Sequence, residues 1–251
     1  MTEHRRVSLL HTSDVHLGWD SNPLLVKRAF TAVIDTAHKL DVDIVVVAGD
    51  LFDHARVEND VIAFAIAEMN RAGRQVVVLP GNHDVYDANS LYHRVNVEAE
   101  CPNVKLIRGG AGELVHLPDK GVTFWGKAME EHHPGFHPLT DIPARANGNW
   151  FVGIAHGHFE PSGGVSGRSS PIYPAEIAGA GCDYVALGHW HIPLDISQQG
   201  VRCRYSGSPA GSGFSDTLGE VSIVEFDPAL GVTVRSHPLQ EQPAQPVEDE
   251  D

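Results

Sequence analysis

Five short motifs in this chain carry the residue types that bind divalent metals. In chain order they are HTSDVHLG (11–18), GDLFD (49–53), GNHD (81–84), AHGH (155–158) and GHWH (188–191). They offer carboxylates, an amide and several imidazoles, the oxygen and nitrogen donors that suit Mn, Fe or Zn. Taken singly each motif has a plainer explanation. Asp14 could cap a turn, Asp50 could cap a helix, and Asn82 in PGNHD could be turn chemistry. All five together, in this order, point to a two-metal hydrolytic centre.

A pair of adjacent metals needs at least one shared ligand. Asp14, His16 and His191 are assigned to one ion and Asn82, His156 and His189 to the other, with Asp50 as the bridge. A hydroxide between the metals completes both shells. Two ions ~3.5–4 Å apart can clamp a phosphoryl group and bring the pKa of bound water toward ~7. Asn82 suits such a site because it donates a neutral oxygen without adding charge. His83 follows it but points elsewhere, toward the leaving-group oxygen, as a general acid, with Asp84 placed to orient or polarise it. Asp53 either holds a ligand histidine in its tautomer or caps a helix. His158 competes with His156 in AHGH, and His156 is preferred because it comes straight off a strand.

The elements that must position these residues are written in the apolar runs. Val7–His11, Asp43–Ala48 and Gln75–Leu79 read as buried strands, and Leu24–Lys39 and Val61–Arg71 as helices between them. Pro80-Gly81 ends the third strand sharply. This alternation predicts right-handed crossovers and parallel pairing. A further short helix is expected over Val95–Glu100. Beyond residue 104 short β-like runs follow: 104–107, 114–117, 122–125, 151–155, 184–187, 193–196, 201–205, 221–226 and 232–236. They predict a second sheet packed on the first with helices outside, a four-layer α-β-β-α sandwich of the α/β class. Ligands in open α/β sheets sit beyond the C-terminal strand ends, and each motif lies at such an end. The loops 127–149 and 159–174 are long. The first carries His132, His133 and His137 and reads as an exposed loop. The second holds Arg168 in a Gly/Ser-rich stretch.

Bulk properties bound the function. The chain has 251 residues, 42% of them hydrophobic, enough for one core; residues 1–238 read as one domain and 239–251 as an acidic disordered tail. No apolar run approaches the ~20 residues that span a bilayer, and the N-terminus lacks a signal peptide's apolar stretch. Cys101, Cys182 and Cys203 are odd in number and widely spaced, so a reducing cytoplasm is expected. The net charge is −15. A protein that grips DNA unaided usually shows a basic face, so any such face here is local.

At the motif residues the chain resembles the calcineurin-like metallophosphoesterases, whose pattern is Asp-x-His, Gly-Asp, Gly-Asn-His-Asp/Glu, His and Gly-His-x-His. The resemblance covers roughly residues 7 to 210. Within that superfamily the chain looks most like the SbcD-type DNA repair nucleases, through HTSDVHLG, VVAGDLFD, PGNHD, YVALGHWH and YSGSP at 205–209. The resemblance implies a Mn-preferring dinuclear phosphodiesterase with DNA or a nucleotide as substrate and an ATPase partner. Serine/threonine phosphatases of the superfamily carry Arg-Gly after the second motif; here His54-Ala55 stands there.

Alternatives remain at this stage: a phosphatase or cyclic-nucleotide phosphodiesterase for a small metabolite, or a non-catalytic scaffold. The intact ligand set argues against the scaffold. A monoester dianion wants extra cations near the metals, and Arg94 and Arg168 are the obvious candidates, which favours diesters modestly.

Overall fold

The computed structural model describes residues 5–145, 148–162, 167–211 and 217–240. From residue 241 onward the expected tail lies outside them. The first half alternates as the apolar runs predict: β1 (Val7–Thr12), α1 (Pro23–Lys39), β2 (Ile44–Ala48), α2 (Asn59–Arg71), β3 (Gln75–Leu79), a 3-10 turn at Leu91–His93, α3 (Val97–Glu100) and β4 (Val104–Leu106). There follow β5 (Glu113–Leu117), β6 (Val122–Gly126), β7 (Trp150–His156), β8 (His158–Phe159), β9 (Pro171–Ile172), α4 (Pro174–Gly179), β10 (Tyr184–Gly188), β11 (Leu194–Asp195), β12 (Arg202–Tyr205), β13 (Glu220–Asp227) and β14 (Gly231–Pro238).

Among the described residues, twelve strands form two six-stranded mixed sheets, ordered β14-β13-β1-β2-β3-β4 and β11-β12-β10-β7-β6-β5, and β8 pairs with β9 in a separate two-stranded sheet. Parallel pairing runs through β1, β2, β3 and β4 in the first sheet and β12, β10, β7 and β6 in the second. Strand β2 explains the layering. All five of its residues are buried, as expected of a central parallel strand covered on both faces. Val45 and Val47 join the core under α1 and α2, whereas Ile44, Val46 and Ala48 face the second sheet with Phe124, Val152, Ile154 and Ala186. A third cluster, including Phe151, Ile177, Val185 and Leu187, lies on the far face of the second sheet. The expected α-β-β-α sandwich is therefore present, with the outer helical layer of the second sheet reduced to α4.

Capping chemistry sets the helix ends. Asn22 Oδ1 accepts from Leu25 N at 3.2 Å, with Pro23 as the first helical residue, a position that needs no N–H. Asn96 Oδ1 accepts from Ala99 N at 3.2 Å. That cap starts α3 at Val97, two residues later than the apolar run suggests. Helix α4 begins within the long loop expected over 159–174. It opens on Pro174, and Tyr173 N donates to Glu176 Oε2 at 2.8 Å.

Phe124 is fully buried between the sheets. Phe124→Ala is expected to destabilise the fold by about 3–5 kcal/mol through lost burial and an unfilled cavity. Urea unfolding checks this; a loss under about 1 kcal/mol would mean that the sheets close over the gap.

Candidate metal centre

The loops after β1 and β2 are zipped to each other. Asp14 N donates to Gly49 O at 3.0 Å, Val15 N and His16 N both donate to Asp50 O at 2.9 and 3.0 Å, and Leu17 N donates to Leu51 O at 2.9 Å. This ladder holds Asp14, His16 and Asp50 at φ of 53°, 55° and 53°, and His189 in the last motif stands at 107°. Left-handed backbone in residues with a Cβ costs of order 1–3 kcal/mol each, and it persists where surrounding bonds impose it. Two glycines leave the room this crowding needs. A Cβ on Gly49 would lie 2.0 Å from His156 Nδ1, and one on Gly81 would lie 2.2 Å from Asp50 Oδ1.

The side chains of all seven expected ligand residues come to one place. His156 Nδ1 is bonded to Ala48 O at 2.9 Å, which turns Nε2 inward. His16 Nδ1 meets Asp53 Oδ1 at 3.0 Å, with the same effect. Such contacts fix the tautomer and aim of a metal-binding imidazole. The inward ring nitrogens then converge. His156 Nε2 and His189 Nδ1 both approach Asn82 Oδ1, at 3.0 and 2.9 Å, and His16 Nε2 faces His191 Nε2 at 3.2 Å. Asp50 Oδ2 lies 3.2 Å from His156 Nε2 and 4.0 Å from His16 Nε2, and so sits between the two groups. Asp14 Oδ1 is 3.9 Å from His191 Nε2. Among the described residues, three overlapping sets have ligand atoms within 4.8 Å of one another: Asp14/His16/His191, His16/Asp50/His83 and Asp14/Asp50/His156. Imidazole nitrogens, carboxylates and an amide oxygen at these separations fit divalent cations once the ring nitrogens give up their protons, and the mixed oxygen and imidazole donors fit Mn, Fe or Zn.

The electrostatics follow from burial and from the cluster itself. Burial opposes charge on Asp50, yet His156, His16 and His83 outweigh it and hold the carboxyl well below its ordinary range. Burial likewise pulls His156 down, but Asp50 more than compensates and pushes it up to about 9. His189 goes the other way, to about 3, through burial and repulsion from His156. These shifts describe the metal-free protein and fix the sign of its pH dependence. A raised His156 stabilises fully below its ordinary 6.5, and that stability is lost as pH rises through about 9. A depressed His189 takes protons preferentially in the unfolded chain, so stability also falls as pH drops from 6.5 toward 3. The chelated protein is expected to have its highest Tm near pH 6.5. Metal uptake at pH 7.5 should release a proton from His156, measurable by calorimetry in buffers of different ionisation enthalpy. A flat Tm between pH 6.5 and 9 would contradict this.

Two neighbours of the cluster are arranged differently from expectation. Asp84 does not orient His83. It is fully buried, and its oxygens accept from Gly81 N at 2.7 Å, Phe52 N at 3.2 Å and the Tyr92 hydroxyl at 2.8 Å. Its position beneath the loop follows from those donors. Burial and the nearby Asp50 charge raise its pKa. His83 is instead held by the Asp53 carbonyl, which its Nδ1 meets at 2.8 Å, and its ring lies edge-on 4.7 Å from His16. Asp53 thus serves both histidines, through its side chain and its backbone. His158 contacts the Trp190 indole N–H at 3.2 Å, outside the converging set.

Sequence reasoning passed over several supports. Ser13 and Ser206 hydroxyls pair at 2.9 Å, and Ser13 donates to Asp14. Ser208 Oγ donates to Asp14 O at 2.7 Å, while His189 N reaches both Asp14 oxygens at 3.0 and 3.1 Å. His132, from the loop read as merely exposed, brings its ring to 5.5 Å from His189. His137 in the same loop faces Glu176 at 3.2 Å instead. Arg94 spends its guanidinium on Val57 O and Asn59.

The fold and the site together define a class, and comparison with known proteins agrees. The family model for calcineurin-like phosphoesterases matches residues 7–193. The chain belongs to that family and is a metal-dependent hydrolase of phosphate esters. It is similar to the DNA double-strand break repair protein Mre11 of Methanopyrus kandleri, at 26% identity over 252 residues, covering 87% of this chain and 54% of that protein. It is also similar to the SbcD component of the nuclease SbcCD of Bacillus subtilis, at 29% identity over 272 residues, covering 90% and 68%. The chain thus spans about half the length of the first and two thirds of the second. Among solved structures, TT1561 of Thermus thermophilus superposes with a TM-score of 0.60 at 11% identity, over 94% of this chain and all of that one. Among the described residues no helix is long and apolar enough to cross a membrane.

Proposed function

We propose that residues 1–238 form one phosphodiesterase domain of the SbcD/Mre11 type, which binds two divalent ions, Mn²⁺ by preference, and cleaves phosphodiester bonds in DNA or nucleotides. Asp14, His16 and His191 hold one ion, Asn82, His156 and His189 the other, and Asp50 both. The observation that carries the reading is the position of Asp50 Oδ2 between His156 and His16, with the remaining nitrogens converging on either side. Ions there would polarise the phosphoryl group and supply an activated water. The chain's own residues do the rest. The ladder between the first two loops fixes the carboxylates, Ala48 and Asp53 fix the imidazoles, and His83 would hand a proton to the leaving oxygen.

The diester preference rests on charge. Beyond burial, the charged groups acting on His16, Asp50, His156, His189 and His191 are aspartates and histidines; Arg94 is engaged elsewhere, and Arg168 acts on His158, outside the converging set. A monoester dianion would meet little additional cationic help. The similarity to a DNA double-strand break repair protein and to one subunit of a nuclease supports an enzyme acting on DNA beside a partner subunit; the proposal extends to an ATPase as that partner and to the cytoplasm. Chelated protein should be inactive and recover with Mn²⁺ at least as well as with Mg²⁺. Bis-aryl phosphate should be hydrolysed faster than the matching monoester. A clear preference for the monoester would replace this reading with that of a metabolite phosphatase.

A further inference from the structure

A cavity of about 300 Å³ adjoins the centre and shares His16, His83 and His191 with it, with Asp53 and Ser208 on the same side. Its apolar wall is Val15, Trp19, Val26 and Ala210. Val15, Val26 and Ala210 belong to the core under the first sheet, and Trp19 packs on that core while partly exposed. No Lys or Arg is among the described residues that line it. A hollow without Lys or Arg and with the Asp53 carboxylate at its edge is a poor second phosphate site. It rewards an uncharged group that can leave water.

Local structure aims Trp19 at this hollow. Gly18, at φ 96°, turns the chain immediately after His16, and a Cβ there would lie 2.5 Å from Val57 Cγ1. Trp19 N donates back to His16 O at 3.0 Å. The turn that delivers a candidate metal ligand therefore also delivers the indole.

We propose that this cavity is the subsite for the nucleobase adjoining the scissile phosphate, with Trp19 as its stacking surface. The proposal rests on the phosphodiesterase reading and adds the part of the substrate that is recognised. The volume is at the low end of ligand cavities, a size for one nucleoside rather than a base pair. The shared histidines let a phosphate at the metals and a ring in the cavity be held at once. Stacking on an aromatic face tolerates every base, and the wall of Val15, Trp19, Val26 and Ala210 offers no side-chain hydrogen-bonding group beyond the indole N–H to select one. A base that enters must first leave its duplex stack, so the subsite favours unpaired nucleotides.

The test measures equilibrium binding of three probes to the Mn-loaded full chain: inorganic phosphate, 2-deoxyribose 5-phosphate and thymidine 5′-phosphate. Thymidine 5′-phosphate should bind about tenfold tighter than the sugar phosphate, the low end of what one stacked base contributes. Trp19→Ala should reduce that ratio to within about twofold and leave inorganic phosphate unaffected, whereas Trp19→Phe should keep most of it. If Trp19→Ala loses its near-UV circular dichroism, Ala210→Leu, which fills the cavity from another wall, should remove the preference instead. Equal binding of the two sugar phosphates by the unaltered protein, or a preference unchanged in these variants, overturns the subsite. Failure to bind inorganic phosphate overturns the metal-centre reading instead. Thymidine against deoxyribose, followed through the Trp19 indole resonance, then still decides the subsite.

Discussion

Asp50→Asn is expected to lose at least one equivalent of metal and about 10³-fold or more in hydrolysis rate. A metal ion acting on a phosphoryl group supplies several kcal/mol of transition-state stabilisation, and each 1.36 kcal/mol is a factor of ten. Asp50 Oδ2 lies beside both candidate metal groups, at 3.2 Å from His156 and 4.0 Å from His16. Losing its charge should therefore weaken both ions, which replacing a ligand of one group would not do. The amide has the carboxylate's shape and can still accept from His83 N, as Asp50 Oδ1 does at 2.9 Å, so the fold should survive. A second readout needs no metal. Without the Asp50 charge, His156 loses the partner that raises it, and the chelated variant's Tm should flatten between pH 6.5 and 9. Two bound metal equivalents with an undiminished rate would remove Asp50 from the bridging position. The elements are measured by plasma emission after gel filtration, alongside the rate.

Much of this centre could be read from sequence because its parts depend on strand ends. A run such as DIVVVA is buried on both faces, so it must be an inner parallel strand, and the polar residues that follow it must emerge at the sheet's edge. On that ground Asp50 falls after β2, Asn82 after β3 and His156 at the end of β7, without knowledge of any contact. Contacts set by loop packing lie beyond such reasoning. Asp84 follows His83 in the chain, and adjacency suggested a dyad. The buried Tyr92 hydroxyl and two backbone N–H groups claim its oxygens instead. Nothing in the spacing from 84 to 92 announces that contact, because the intervening loop has no periodicity. His132 was obscured for the same reason, being carried to His189 by a loop whose path only the tertiary fold determines. The two-residue strands β8 and β9 are too short to show alternation.

His83→Ala separates acid catalysis from metal binding. The His83 side chain is 43% exposed, and its backbone N–H, not its ring, holds Asp50, so folding and metal content should be nearly unchanged. If the ring protonates the leaving oxygen, the rate should fall by ~10²–10⁴, the usual worth of a positioned acid. The loss should be full for alkoxide leaving groups and should shrink for nitrophenol, which leaves without a proton. A variant slowed equally on both leaving groups would make His83 an electrostatic contact to the phosphate oxygens. A variant that loses metal would make it a ligand, as its place in the His16/Asp50/His83 set permits. The neighbouring carboxylates sharpen the comparison because each touches different atoms. Asp53→Asn keeps the carbonyl that meets His83 Nδ1 but weakens the side-chain contact to His16. It should cost about 10–100-fold in metal affinity while sparing the leaving-group dependence. Asp84→Asn sets an amide N–H against the Gly81 N–H or against the Phe52 N–H and Tyr92 hydroxyl, whichever oxygen it replaces. It should lower Tm and disturb the loop as a whole, slowing good and poor leaving groups alike. Selective sensitivity to poor leaving groups should belong to His83 alone among the three, and that selectivity is the sign of a proton delivered in the rate-limiting step.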